Sequence, residues 1–203
     1  MKKTILPLLL ILVIQPCFSQ DHSESDGDLI LPYQKIPDYP MDYNPGNILS
    51  RLVDGLGYRY YWASEGLTAK DLEYKPSEDA RNTRETLEHI YSLSSAILNA
   101  TENEPNVRPE GEADFTLATL REMTLNNLEL ASNAYANKSA EEISQMKVIF
   151  KSGEKVFEFP FWNMINGQIS DAIYHTGQIV SFRRASGNPV NPKVNVFLGE
   201  TAN

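Results

Sequence analysis

Apolar residues recur at helical spacing over most of the chain. From Asn44 onward, Leu49, Leu52, Val53, Leu56, Tyr60, Ala63 and Leu67 fall at i, i+3, i+4, i+7, i+11, i+14 and i+18. That is one stripe of a long helix, with Gly66 near its end. Asn82-Thr-Arg-Glu85 has the form of a capping box, in which a cap residue and the residue three positions on satisfy each other's backbone N–H. A second helix is predicted from there, turning Thr86, Ile90, Leu93 and Ile97 inward. A third, after Asp114, carries Leu117, Leu120, Thr124, Leu128, Ala131 and Tyr135 on one face. Ser139-Ala-Glu-Glu142 is a further capping box opening a short helical turn. The period then shortens: "MKVIFKSGEKVFEFP" alternates around Ser152-Gly153, as a two-stranded hairpin does. The fourth long helix runs from Trp162 to Ala185, its stripe being Phe161, Ile165, Ile169, Ala172, Thr176 and Ile179. Arg183 and Arg184 fall in its last turn, at the negative pole, and Gly187 and Pro189 stop it.

This pattern predicts an all-α protein: a four-helix bundle over residues 45–187 with a small β-hairpin before the last helix. The 203 residues are 41% hydrophobic and 22% charged, enough for one domain with a sizeable core and too few for a second.

The ends of the chain do not share the helical period. Lys2-Lys3, an apolar run from Ile5 to Ile14, and small residues around Ser19 have the layout of a secretory signal peptide, expected over residues 1–19 with cleavage near Ser19-Gln20. The run is too short to span a bilayer, so no integral membrane span is expected after cleavage. Cys17 raises the question of a lipid anchor, but Pro16 before it fits a lipoprotein signal poorly, and export to the periplasm or medium is the favoured reading. Residues 20–44 read as an acidic segment containing His22, then a Pro-rich extended arm whose tyrosines let it lie along the domain. Residues 188–203 read as an extended tail.

Charge and cysteine content then remove whole classes of function. Losing Lys2 and Lys3 with the signal lowers the formal charge from −9 by two, to −11. Neutralising phosphates needs a positive field, so nucleic acid is excluded as a partner, and docking on anionic lipid is disfavoured on the same ground. Cys17 is the single cysteine, so the mature protein has neither a disulfide nor a cysteine nucleophile.

Two histidines lie within the predicted bundle. His175 stands four residues after Asp171, about 40° around the helix, so the two project from one face. His89 borders the inward stripe of the second helix, with Glu85 one turn before it and the small residues Ser92 and Ala96 on the same face. Two imidazoles and a carboxylate on facing helices suit a divalent transition ion, Zn²⁺, Ni²⁺ or Fe²⁺, with coordination positions left open for a small-molecule substrate. Gln168 and Gln178 flank these residues and are candidates to orient a ligand or a substrate. The alternative is that Asp171 only hydrogen-bonds His175 and that His89 is a half-buried core histidine. Tyr60 reads as aromatic packing, and Tyr174 as a candidate phenol. Arg121, within the inward stripe of the third helix, reads as an arginine reaching out to solvent rather than as an anion site.

"HIYSLSSAI" from His89 and "DAIYHTGQIVSFRR" from Asp171 resemble the DinB/YfiT-like superfamily of metal-dependent four-helix-bundle enzymes. The resemblance spans about residues 45–187 and implies one histidine ligand on the second helix and an H-x3-H pair on the fourth, the latter followed by x-G-Q. His89 matches the first ligand, and His175 with Thr176-Gly177-Gln178 matches the last. Asp171 stands where the middle histidine is expected. The resemblance implies a thiol-dependent transferase or a hydrolase acting on a small molecule, and a homodimer. The aspartate keeps open a second reading, a non-catalytic binding or structural bundle that has lost its metal.

Overall fold

The computed structural model of the chain describes residues 30–108 and 114–202. The expected signal peptide, Cys17 and His22 lie outside the described residues. Four long helices make the body: α1 (Pro45–Ser64), α3 (Thr83–Asn99), α4 (Leu117–Tyr135) and α7 (Ser170–Ser186). Short helices α2 (Ala69–Leu72), α5 (Ala140–Ser144) and α6 (Trp162–Met164) fill the connections. Around the bundle α1 packs on α4, α4 on α3, α3 on α7 and α7 on α1, which sets α1 diagonally opposite α3. The described residues therefore form the predicted helical bundle. None of its helices is long and apolar enough to cross a membrane.

Three of the four long helices start where the sequence supplies a cap, and α7 has none. Asn44 accepts the Asn47 N–H at 2.8 Å with Pro45 at the first helical position, and Asn82 and Glu85 close the expected capping box at 2.8 Å in both directions. The inward faces then meet in one core, where Val53, Leu87, Ile90, Leu120, Leu125, Leu128, Ile169 and Ile179 are fully buried. Each such side chain contributes roughly 1.5–3 kcal/mol by leaving water. In α1 the stripe is narrower than predicted. Leu52 is substantially exposed, and the helix ends at Ser64, so Leu67 joins the core from the following loop.

The hairpin forms as predicted from β2 (Lys147–Ser152) and β3 (Lys155–Pro160). A third strand, β1 (Pro105–Arg108), adds to it in parallel, pairing Asn106 with Phe150 and Val107 with Lys151. Four residues beginning with proline carry too short an alternation to announce a strand, and the partner's ladder is what holds it extended.

The Pro-rich arm lies along α1. Tyr33 and Ile36 are buried, the Tyr33 hydroxyl donates to Asp54 Oδ1 at 3.1 Å, and Trp62 Nε1 donates to the Gln34 carbonyl at 3.3 Å. Gly57 is what lets the arm come so close: a Cβ there would stand 2.5 Å from Tyr33 Cδ2. Within the expected extended tail, β4 (Val194–Asn195) and β5 (Glu200–Thr201) make a two-residue ladder, and the Ile36 N–H donates to the Gly199 carbonyl at 2.9 Å, tying arm to tail.

Arg183 does more than complement the dipole of its own helix. Only 4% exposed, it crosses to the end of α1, where Nη1 donates to the carbonyls of Ala63 at 2.9 Å, Glu65 at 2.8 Å and Trp62 at 3.2 Å. Its Nε donates to the Asn188 carbonyl at 2.7 Å, just past Gly187, whose φ of +96° ends α7. These α1 carbonyls have no intrahelical partner, so the guanidinium caps a neighbouring helix. Beside it, buried Asp71 accepts from Asn188 Nδ2 at 2.7 Å, Thr68 N at 2.8 Å, Thr68 Oγ1 at 2.7 Å and the Ser186 hydroxyl. Arg121 likewise departs from expectation. Its guanidinium pairs with Glu65 and donates to Ser64 Oγ at 3.0 Å rather than reaching solvent.

Two predictions follow from this junction. Arg183→Met leaves the buried carbonyls of α1 unpaired and should lower the unfolding free energy by about 3–5 kcal/mol, with Arg183→Lys recovering less than half, as read by urea denaturation. Burial pushes the Asp71 carboxyl up, but the hydrogen bonds from Ser186, Asn188 and Thr68 outweigh it and hold the group well below the usual carboxylate range. A folded-state value below the unfolded one, about 3.9, contributes stability that is present above that pH and lost as pH falls below it. The midpoint of urea unfolding should therefore drop on acidification below about pH 4, and Asp71→Asn should lower the neutral-pH midpoint and flatten that acid limb.

Candidate metal centre

His89 takes its position from the start of α3. The cap at Asn82 sets the helical phase, Leu87, Ile90 and Leu93 take the buried face, and His89 is left at its edge beside α7. On α7, Ala172, Thr176 and Ile179 are buried, which places Asp171 and His175 at the margin facing α3. The last helix is not continuous. Residues Ile165–Ile169 form a single π-helical turn, and the Ser170 hydroxyl donates to the Ile165 carbonyl at 2.6 Å. The wider turn moves the stripe by one residue: Met164 and Ile169, five apart, are fully buried, while Ile165 is only partly so. Such a turn inserts a residue without breaking the helix, and it ends two residues before Asp171.

The three side chains converge. Asp171 Oδ2 lies 3.2 Å from His89 Nε2, and Oδ1 lies 3.3 Å from His175 Nε2. One ligand atom from each residue falls within 4.8 Å of the others, and the two imidazoles meet edge to face with centroids 4.7 Å apart. Donors around a tetrahedral ion, bonded at about 2.1 Å, stand about 3.4 Å from one another, so little movement is needed to receive one. The side chains are 28% exposed at His89, 43% at Asp171 and 12% at His175, which leaves an opening to solvent on the carboxylate side.

The donor chemistry also suits a cation. Gln178 Oε1 lies 2.7 Å from His175 Nδ1. An amide oxygen accepts, so Nδ1 is the donor in this pair, and Nε2 is the nitrogen turned toward Asp171. A proton or a metal ion between Nε2 and the Asp171 carboxylate, 3.3 Å apart, interacts favourably with both. Burial, together with the charge of Arg81, lowers the pKa of His89 against the opposing pull of Asp171. That favours the neutral imidazole, the form a metal binds.

The remaining candidates divide. Gln178 is in contact with a ligand residue. Ser92 accepts a hydrogen bond from Arg108 Nη2 at 3.0 Å, and both line a cavity of about 440 Å³ with His89 and Glu88. A second cavity of about 440 Å³, on the other side, is lined by Arg81, Thr86, His175, Gln178 and Phe182. Glu85 is exposed, with its carboxylate engaged in the helix cap. Gln168 is partly buried with Oε1 unpartnered, and no hydrogen bond joins it to the three converging residues. Ala96 and Tyr60 are packed in the core, and Tyr174 is exposed, its ring 5.3 Å from that of His175. Arg81 and Arg108 were not legible as site residues. One precedes the α3 cap and the other ends an unannounced strand, so no periodicity aims either of them.

No family model matches the sequence, and no curated protein matches it. Among solved structures, the chain is similar to a DinB-like protein, YjoA, from Bacillus subtilis, with a TM-score of 0.50 over 70% of this chain and 96% of that one, at 13% identity. At that identity the likeness speaks for architecture, and it agrees with the ring of four helices described above. This chain has the DinB-like four-helix-bundle fold.

Proposed function

We propose that the chain is an exported, metal-dependent enzyme acting on a small molecule, with its ion held by His89, Asp171 and His175. The observation that carries this reading is the convergence of both imidazoles on one carboxylate, His175 Nε2 at 3.3 Å from Asp171 Oδ1 and His89 Nε2 at 3.2 Å from Oδ2. A Zn²⁺, Ni²⁺ or Fe²⁺ ion there would supply Lewis-acid activation of a water or a thiol, the chemistry of a hydrolase or a thiol-dependent transferase. Asp171 in place of a third imidazole lowers the positive charge of the site by one and so makes that activation milder. Gln178 holds the His175 tautomer and ring orientation, a role that commonly governs affinity at such centres. The two flanking cavities give a substrate room on either side of the ligands. Export rests on the amino-terminal residues, Lys2-Lys3 and the apolar run behind them.

A second reading has its own support. Asp171 is already within hydrogen-bond range of both imidazoles, so a proton can do what the ion would do, in a bundle without metal chemistry.

Metal analysis of protein purified without chelators separates the two. One transition ion per chain, lost in both His89→Ala and His175→Ala, is the expected result. Metal-free protein whose stability is unchanged by either substitution leaves the second reading standing. Asp171→His should raise metal affinity by about tenfold or more if the three side chains share one ion, and Gln178→Leu should lower it by roughly 10–100-fold while the helical spectrum is retained. Competition with a chelator of known affinity measures both.

A further inference from the structure

The largest cavity described here, about 690 Å³, lies between the Pro-rich arm and the α1–α4 face, and none of the three converging ligand residues lines it. Asp54, only 7% exposed, lines it. The hydroxyls of Tyr33 at 3.1 Å and Ser132 at 2.5 Å both bond to the same oxygen, Oδ1. Oδ2 accepts no hydrogen bond among the described residues and is not among the sealed polar atoms, so it opens into the cavity that Asp54 lines. Burial pushes the Asp54 carboxyl up despite those two hydrogen bonds and the charge of Arg51, so its own surroundings leave the buried anion undercompensated.

The rest of the lining repeats the need for a cation. Glu129 and Asp38 bring two further carboxylates. Of the two basic groups in the lining, Lys35 pairs with Glu200 at 3.1 Å, and Arg51 is turned to the arm, where it donates to the Pro37 carbonyl at 2.6 Å and lies 4.8 Å over the Tyr39 ring. Tyr33 and Tyr39 add aromatic surface, which attracts organic cations through the ring quadrupole. One open carboxylate oxygen is too few donors for a metal ion, and the excess of acids repels an anion. A volume of several hundred cubic ångströms is in the range of a small-molecule pocket.

We propose that the arm cavity binds an organic ammonium ion, with Asp54 Oδ2 as the buried counter-ion and Glu129 and Asp38 as outer acids. The arm closes one wall of this site, so docking of Tyr33 against Gly57 and formation of the site are the same event.

Calorimetric titration of the full chain with 1,4-diaminobutane, butylamine and butan-1-ol tests this, at about 0.15 M salt, where distant surface charges are screened. The expected result is saturable binding of one amine per chain, none of the alcohol, and tighter binding of the diamine. Asp54→Asn should weaken the amine by more than about tenfold, and Glu129→Gln, an exposed position that leaves the core untouched, should weaken it several-fold. Absence of saturable binding to the unmodified protein overturns the proposal. So does unchanged affinity in a folded Asp54→Asn chain. If that variant does not fold, unchanged affinity in Glu129→Gln together with Asp38→Asn overturns it instead.

Discussion

The placement of the last helix depends on one guanidinium. Arg183 leaves its own helix to cap the carbonyl end of α1, and it does so from within a turn of the Gly187 stop. A planar fork with fixed donor directions tolerates little sliding, so the contact sets how far α7 lies along α1 as well as that the two are adjacent. Asp71, Asn188 and Thr68 surround the same junction with hydrogen bonds, so α2, the α1 terminus and the α7 terminus act as one unit. At the other end of α7 the π turn decides which faces of the helix look inward. Asp171 and His175 lie between these two constraints, so their alignment with His89 is inherited from contacts that involve no site residue.

The site itself illustrates how a hydrogen bond at one ring nitrogen governs the other. Gln178 Oε1 engages Nδ1 of His175, which turns Nε2 to the neighbouring carboxylate, where a cation between the two is favourable. The arm cavity shows a related imbalance, a carboxylate satisfied on one oxygen and open on the other. At Asp54 burial raises the cost of an uncompensated charge, and a positive group is the simplest way to relieve it.

Much of the site was legible before the fold. Asp171 and His175 share a helical face by spacing alone, and Gln178, three residues beyond His175, lies on the same side. Bringing His89 to them required the order of the helices, which the resemblance to a known superfamily supplied. Glu85 illustrates the limit of reasoning from proximity along a helix. It lies one turn from His89, but its carboxylate serves the cap that the same sequence had announced. Gln168 illustrates another. A constant 100° per residue carried it toward Asp171, and the π turn in which Gln168 itself lies breaks that phase.

The sequence by itself determined what depends on near neighbours: the caps at Asn44, Asn82 and Ser139, the hairpin turn at Ser152-Gly153, the stop at Gly187, and the inward stripes of α3 and α4. These are contests between a side chain and a backbone a few residues away, and local chemistry settles them. Only the tertiary structure decided the rest. Arg183 caps a helix more than a hundred residues earlier, Arg121 turns from solvent to Glu65, β1 becomes a strand because β2 offers it a ladder, and Tyr33 seals a cavity against Gly57. Each of these polar or backbone groups had an equally good partner in water. Burial of the surrounding apolar surface removed that partner, and the geometry of the packed helices supplied another.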